Sequence, residues 1–140
     1  MSRSLVFLDT SHIYAVINVN DQWHGRAVDR QRQIDRRRTN LVTTDLVLVE
    51  IADGLSSVKF RAAAIRTIEL LIRSPRVEVV PFDQDLFDRG FALFMARQDK
   101  GWGLTDCTSF LVMEDLRIAD ALTADDHFRQ AGFNALLMDP

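Results

Sequence analysis

The chain of 140 residues has one cysteine, Cys107, which leaves no partner for an internal disulfide and no set of thiolates for a zinc site. That lone thiol is expected to pack as a small apolar side chain. No stretch approaches the about 20 apolar residues needed to cross a bilayer, so no membrane role is expected. Only 3 prolines and 6 glycines occur, without the clusters that mark a linker or a low-complexity tract. Surplus positive charge is missing too. With 17 basic and 20 acidic residues the net charge is -3, so any polyanion must be held locally. The segment from Met1 to Thr10 has a short apolar run closed by an acid instead of a small-residue cleavage site. No signal peptide is therefore expected, and the cytoplasm is the default location.

What is present is ordinary globular material: 47% hydrophobic and 26% charged residues, at a length suited to one domain spanning residues 1–140. Leu5 to Leu8 is an apolar run too short for a helix and is expected to be a buried strand, with Asp9, Thr10 and Ser11 forming a turn and cap. Short strands are also expected at Leu41 to Thr44, Val77 to Pro81, Ala119 to Thr123 and Ala135 to Met138. Helices fall between them. One runs from an Asp45 cap to Leu55, ended with the help of Gly54, and one carries Phe60, Ala64, Ile68, Leu71 and Ile72 on a single face. Another, capped by Asp83, is expected to pack through Leu86, Phe87, Phe91, Phe94 and Met95. After the loop Lys100 to Leu104, Thr105 and Asp106 begin a helix with Cys107, Phe110, Leu111 and Glu114 on one side. Alternation of this kind predicts an α/β protein with a parallel sheet wrapped on both faces.

Four acids map to one edge of that sheet. Asp9 follows the first strand, Glu50 lies in the helix after the second, Asp106 opens a helix after a long loop, and Asp125 follows the fourth strand. In such sheets the ligand crevice lies outside the carboxyl ends of the strands. Aspartates often cap helices, which is a sufficient account of Asp106 or Asp125 taken singly. Glu50, about one turn into a helix and crowded by Val47, Leu48, Val49 and Ile51, is not a cap. Carboxylates from such distant points share a volume only if something cancels their repulsion, and a hard divalent cation does so. Such a cation leaves room for phosphate oxygens, makes a bound water easier to ionise and stabilises charge developing on phosphorus. The residues thus favour metal-assisted hydrolysis, with Asp9 and Asp106 as direct ligands and Glu50 and Asp125 as ligands or water-positioning groups.

Three further features carry less. His24 to Asn40 holds Arg26, Arg30, Arg32, Arg36, Arg37 and Arg38 against Asp29 and Asp35, readable as a solvated helix face or as an arm contacting phosphate or a partner. His12, His24 and His127 lie far from any nucleophile elbow, and His127 is expected to pack or cap instead of acting as a base. The start Val6 to Thr10 also suggests a haloacid-dehalogenase-type phosphotransferase, but Ser11 stands where that pattern wants a second aspartate.

Taken in order, Phe7-Leu8-Asp9-Thr10-Ser11, Glu50 before Gly54-Leu55, Leu104 to Phe110, Ala121 to Phe128 and Gln130 to Phe133 resemble the PIN-domain ribonucleases. The resemblance is strongest to the VapC-type toxins of bacterial toxin–antitoxin pairs and spans Leu5 to Met138. It implies a three-layer α/β/α sandwich around a mostly parallel sheet. It further implies that Asp9, Glu50, Asp106 and Asp125 coordinate Mg²⁺ or Mn²⁺ and cut RNA, with Thr10, Ser11 and Thr123 as hydroxyls orienting a carboxylate or a bound water. Gly103 departs from the family, which often has a small hydroxyl residue there, and Asp126 adds an acid beside Asp125. A homodimer and an antitoxin whose tail covers the acids, often offering them an arginine, are the implied partners. A housekeeping nuclease and a non-catalytic docking module with the same fold are the alternatives. RNA-binding residues outside the acids are not identifiable from the pattern.

Overall fold

The computed structural model describes residues 5–139. Five parallel strands form one sheet in the order β3-β2-β1-β4-β5, with β1 at Leu5–Leu8, β2 at Asn40–Thr44, β3 at Val77–Val80, β4 at Asp120–Leu122 and β5 at Asn134–Ala135. The chain builds outward from β1 through β2 to β3, then returns to lay β4 against the other side of β1. That reversal between β1 and β4 creates the crevice at which α/β sheets take ligands.

The connections are helical: α1 (Thr10–Ile17) and α2 (His24–Arg37), then α3 (Asp45–Gly54) and α4 (Val58–Arg73), then α5 (Gln84–Ala96) and α6 (Leu104–Asp115), and last α7 (Asp126–Gln130). Together with the sheet they make the three-layer sandwich. Phe7, Leu8, Val42, Ala121 and Leu122 are buried because the central strands are covered on both faces, which is why they are written as unbroken apolar runs. Ile51, Val47, Met113, Cys107 and Phe110 bring the helices onto them. Phe110 is the hub of an aromatic group, meeting Trp102 and Phe128 edge-on with centroids 5.0 Å apart.

Several sequence expectations are displaced by local chemistry. Thr44, not Asp45, caps α3: its Oγ1 accepts from Val47 N–H at 3.1 Å, and Asp45 is the first helical residue. Gly54 is the last residue of α3 without a left-handed turn, and its role is steric. A Cβ there would lie 1.8 Å from the Tyr14 hydroxyl, which reaches across to donate to the Glu50 carbonyl at 2.8 Å. The last strand is confined to two residues, after which the chain turns while its amides still bond Ala121 and Thr123 carbonyls. On α6, Glu114 is exposed, and the buried side runs instead through Cys107, Thr108, Ser109, Phe110, Val112 and Met113.

The largest departure is on α5. Leu86 and Gly90 are its buried residues, while Phe87, Phe91, Phe94 and Met95 are 38–51% exposed. Gly90 faces α6, where a Cβ would lie 2.5 Å from Thr108 Cγ2, so close helix approach occupies the side that the aromatic periodicity seemed to claim. The displaced rings stack along the surface, Phe87 on Phe91 at 6.0 Å and Phe91 on Phe94 at 6.3 Å. On α4, Ala64 is buried and Phe60, Ile68 and Leu71 pack partly, but Ile72 is exposed.

Candidate active site

Each of the four acids is placed by the start of a helix or by its first turns. Asp9 caps α1, Asp125 caps α7, Asp106 occupies the third position of α6, and Glu50 lies one turn into α3. Strands β1 and β4, adjacent and parallel, deliver Asp9 and Asp125 side by side at the switch point. The capping account and the site account therefore coincide: a helix cap needs one carboxylate oxygen and leaves the other.

Asp9 is 6% exposed, and three donors converge on its Oδ2. Thr123 Oγ1 donates at 2.7 Å, Ser11 Oγ at 2.9 Å and Ser11 N–H at 3.4 Å. The two hydroxyls are in turn oriented by backbone amides, Ala124 N–H to Ser11 Oγ and Asp125 N–H to Thr123 Oγ1, both at 3.0 Å. A relay thus runs from the amides beside Asp125, through two hydroxyls, to Asp9. Beside it, Thr10 Oγ1 donates to Glu50 Oε1, and the backbone carbonyl of Glu50 is held by Tyr14.

The other half of the cluster uses different donors. Asp106 Oδ2 accepts from Gly103 N–H at 3.0 Å, the returning half of a capping box whose other half glycine cannot supply. His127 Nδ1 lies 3.0 Å from the same oxygen and 3.4 Å from Asp125 Oδ1; protonated there, it donates to Asp106. Asp125 Oδ1 also accepts the His127 amide at 2.9 Å. Ligand atoms of Asp106, Asp125 and His127 fall within 4.8 Å of one another.

One rule covers all four. Each carboxylate has one oxygen fixed by protein donors, and among the described residues no donor reaches its second oxygen. Electrostatics agrees. Burial pushes the Asp9 carboxyl up to about 6, against the pull of the Thr123 and Ser11 hydroxyls, and the charges of Asp106 and Glu50 push the same way. Asp106 is raised too, by burial and then by Asp125, with the Gly103 amide and His127 opposing. Burial and neighbouring acids raise Asp9 and Asp106, and the described ion pairs bring no arginine or lysine to the four acids, His127 beside Asp106 and Asp125 being the basic group they have. Hard oxygen donors, pre-oriented and short of positive charge, fit a divalent cation.

His127, expected only to pack or cap, faces Asp106 with its Nδ1 3.0 Å from Oδ2. The signal was its position two residues after Asp125 in a first helical turn, where the backbone aims side chains back at the cap. Asp126 is exposed and bonded to Gln130, outside the cluster. His12 is buried against Gln31 and His24 bonds the Ala15 carbonyl, so both serve α1 and α2 packing. The nucleophile-elbow and paired-aspartate readings find no support, as Ser11 spends its hydroxyl on Asp9.

A parallel sheet with carboxylates gathered at its switch point defines an α/β protein of the kind that holds a divalent cation against phosphate. Its family is explicit: the PIN domain model matches residues 6–134, and the chain belongs to the PIN domain family. It is 28% identical over 129 residues to the 23S rRNA-specific endonuclease VapC20 of Mycobacterium tuberculosis, covering 92% of this chain and 95% of that protein. The crystal structure of that organism's VapC20, described as a Sarcin-Ricin loop cleaving toxin, superposes with a TM-score of 0.79 at 27% identity, over 93% of this chain and 96% of the other. VapBC2 from Rickettsia felis, bound to a DNA fragment from its promoter, shares the fold with a TM-score of 0.65 at 15% identity, over 94% and 96% of the two chains. Among the described residues no helix is long and apolar enough to cross a membrane.

Proposed function

We propose that the protein is a divalent-metal-dependent endoribonuclease of the VapC type, cutting RNA at the cluster of Asp9, Glu50, Asp106 and Asp125. The observation that supports it is the shared geometry of those carboxylates, each with one oxygen anchored and the other open. Asp9 and Asp106 are the direct metal ligands, with Glu50 and Asp125 completing the set or positioning water; Mg²⁺ and Mn²⁺ are the ions of choice for such oxygen donors. A divalent cation held by these residues would make a bound water easier to ionise and would stabilise charge developing on the phosphate.

The chain's own contribution is orientation. Ser11 and Thr123 hold Asp9, Thr10 holds Glu50, and His127 with the Gly103 amide holds Asp106, so no carboxylate must reorganise when substrate arrives. Burial of Asp9 keeps the surrounding dielectric low, which strengthens every charge interaction in the crevice.

The nature of VapC20 as a 23S rRNA endonuclease makes structured ribosomal RNA the first substrate to offer. We place the protein in the cytoplasm as the toxin of a toxin–antitoxin pair, with an antitoxin whose cationic tail covers the acids. The stacked, exposed Phe87, Phe91 and Phe94 supply an apolar ridge for pairing of two copies. Partner-free protein is expected to degrade ribosomal RNA with Mg²⁺ or Mn²⁺ and to lose activity with EDTA or with Asp9→Asn. Equal cleavage by wild type and Asp9→Asn, or indifference to EDTA, would show the site to be wrong.

A further inference from the structure

The edge of the sheet opposite the acids carries the reverse charge. A cleft of about 830 Å³ opens at the amino ends of the strands, bounded by Arg30, Arg37 and Arg38 of α2 and its cap, Asn40 of β2, Arg76 before β3, and Asp120 of β4. Four guanidinium groups thus face one carboxylate. That carboxylate is already engaged by Asn134 Nδ2 at 2.8 Å. Among the described residues none of the four arginines forms an ion pair within 4.0 Å, a state they share with Arg26, Arg36, Arg61, Arg66 and Arg117; what sets the four apart is that they border one cleft.

Ordinary structural roles account for part of this group. Arg30 Nε donates to the Leu136 carbonyl at 3.0 Å, fastening the segment after β5. Cations in the last turn of α2 also suit the helix dipole, which covers Arg37. Neither reason reaches Arg76, which lies on another element, and the dipole favours a cation near Arg38 without explaining why an arginine holds the left-handed cap. Arg38 is the C-cap of α2 and adopts a left-handed conformation, φ 52° and ψ 44°, where glycine or asparagine is the favoured residue. An arginine there stays in a disfavoured backbone state while its side chain borders the cleft.

We infer that this arginine cleft binds the phosphate backbone of the RNA substrate, as a second contact on the opposite edge of the sheet from the acids. Guanidinium forks match phosphate oxygens, and arginines brought to one cleft from the end of α2 and from the segment before β3 form a cationic receptor for an anion that the helix face alone would not make. The strands are only three to five residues long in β1 to β4, so the two edges are on the order of 10–17 Å apart. A folded RNA is large enough to touch both, whereas a trinucleotide is not. The arrangement answers the charge problem: a chain of net charge -3 holds a polyanion at a local basic site away from its own acids. The inference rests on the nuclease reading for the identity of the ligand.

The test uses Arg37→Ala/Arg38→Gly/Arg76→Ala, leaving Arg30 to its structural bond. A fluorescein-labelled ribosomal RNA stem–loop is titrated in EDTA across a salt series, and trinucleotide cleavage is followed in Mn²⁺. Expected results are a loss of stem–loop affinity of roughly tenfold or more and a salt slope shallower by about two. Trinucleotide turnover should be unchanged, and the melting temperature should not fall, because Arg38→Gly relieves a left-handed arginine. Unchanged affinity and slope overturn the inference. So does a variant that binds RNA normally but loses affinity for polyglutamate, which makes the cleft an acidic-peptide site. Failure of the two readings is separable: RNA binding lost in the arginine variant of a protein that cleaves nothing keeps the cleft and removes the nuclease. Cleavage abolished by Asp9→Asn, with stem–loop binding indifferent to the arginines, does the opposite.

Discussion

The two halves of the acid cluster reach the same end with different groups. On one side, buried Asp9 is held by the hydroxyls of Ser11 and Thr123, and half-buried Glu50 beside it by that of Thr10. On the more open side, Asp106 and Asp125 are held by backbone amides at helix starts and by the His127 imidazole. Burial explains the choice. In a low dielectric an unpaired polar group costs about 1–3 kcal/mol, so a buried carboxylate needs several donors that are themselves satisfied, as the amide-to-hydroxyl relay provides. The half-buried Glu50, Asp106 and Asp125 take fewer: one hydroxyl for Glu50, and a backbone amide with the His127 imidazole nearby for the other two. Orientation of a metal-ready carboxylate thus follows the solvent exposure of its position, not one fixed motif.

The largest expected difference between the halves comes from Asp9→Asn. Loss of RNA cleavage by at least about 10²-fold is expected, since both the charge and the best-anchored ligand oxygen disappear. The same substitution should stabilise the metal-free protein above pH 6, because it removes a buried charge; a chemical denaturation series at pH 7.5 measures this. Next comes Thr123→Val, which cuts the bond to Asp9 and orphans the Asp125 amide. A stability loss of about 1–3 kcal/mol and a metal affinity weaker by about 10–100-fold are expected, read by denaturation and by Mn²⁺ titration. On the open side, His127→Asn should weaken metal binding by about tenfold with a stability change within roughly 0.5 kcal/mol, its side chain being partly exposed. If His127→Asn destabilises as much as Thr123→Val, the distinction between the halves fails. Smallest is Gly103→Ser: a Cβ there meets nothing closer than Asp106 Oδ2 at 3.9 Å, and a hydroxyl completes the capping box. A gain of about 0.5–1 kcal/mol with cleavage retained is expected from thermal unfolding and RNA assays.

Where sequence reasoning succeeded, it relied on signals that tertiary structure does not override. The apolar runs of β1 and β4 can only be strands covered on both faces, and acids directly after parallel strands must share the carboxyl edge. The hydroxyls of Thr10, Ser11 and Thr123 were named only through the resemblance to the PIN-domain ribonucleases; the structure bonds them to Asp9 and Glu50. What escaped were matters of packing. Periodicity on α5 showed an amphipathic helix but not which side another helix would claim; the small Gly90 admits α6, and the phenylalanines are left outside. Thr44 and Asp45 are both good caps, and only the end of β2 decides between them. The Arg-rich segment was legible as a helix, whereas its division into tethers for residues 136–139 and lining for a cleft depends on where the chain ends up.

The central claim is that the four carboxylates are held short of positive charge for a divalent cation to supply. The Asp9 carboxyl, pushed up to about 6 in the folded chain, retains a proton that the unfolded chain releases near pH 4. Metal-free stability therefore falls as pH rises from about 4 to about 6, by about 3 kcal/mol from this group alone, and stays lower above that range. Thermal unfolding at pH 5.0 and 7.5, with and without Mn²⁺, reads this balance directly in wild type and Asp9→Asn. The account predicts that Mn²⁺ raises the wild-type melting temperature strongly at pH 7.5 and weakly at pH 5.0, and leaves Asp9→Asn nearly unmoved. An equal Mn²⁺ shift in the two proteins, or none in either, would contradict it.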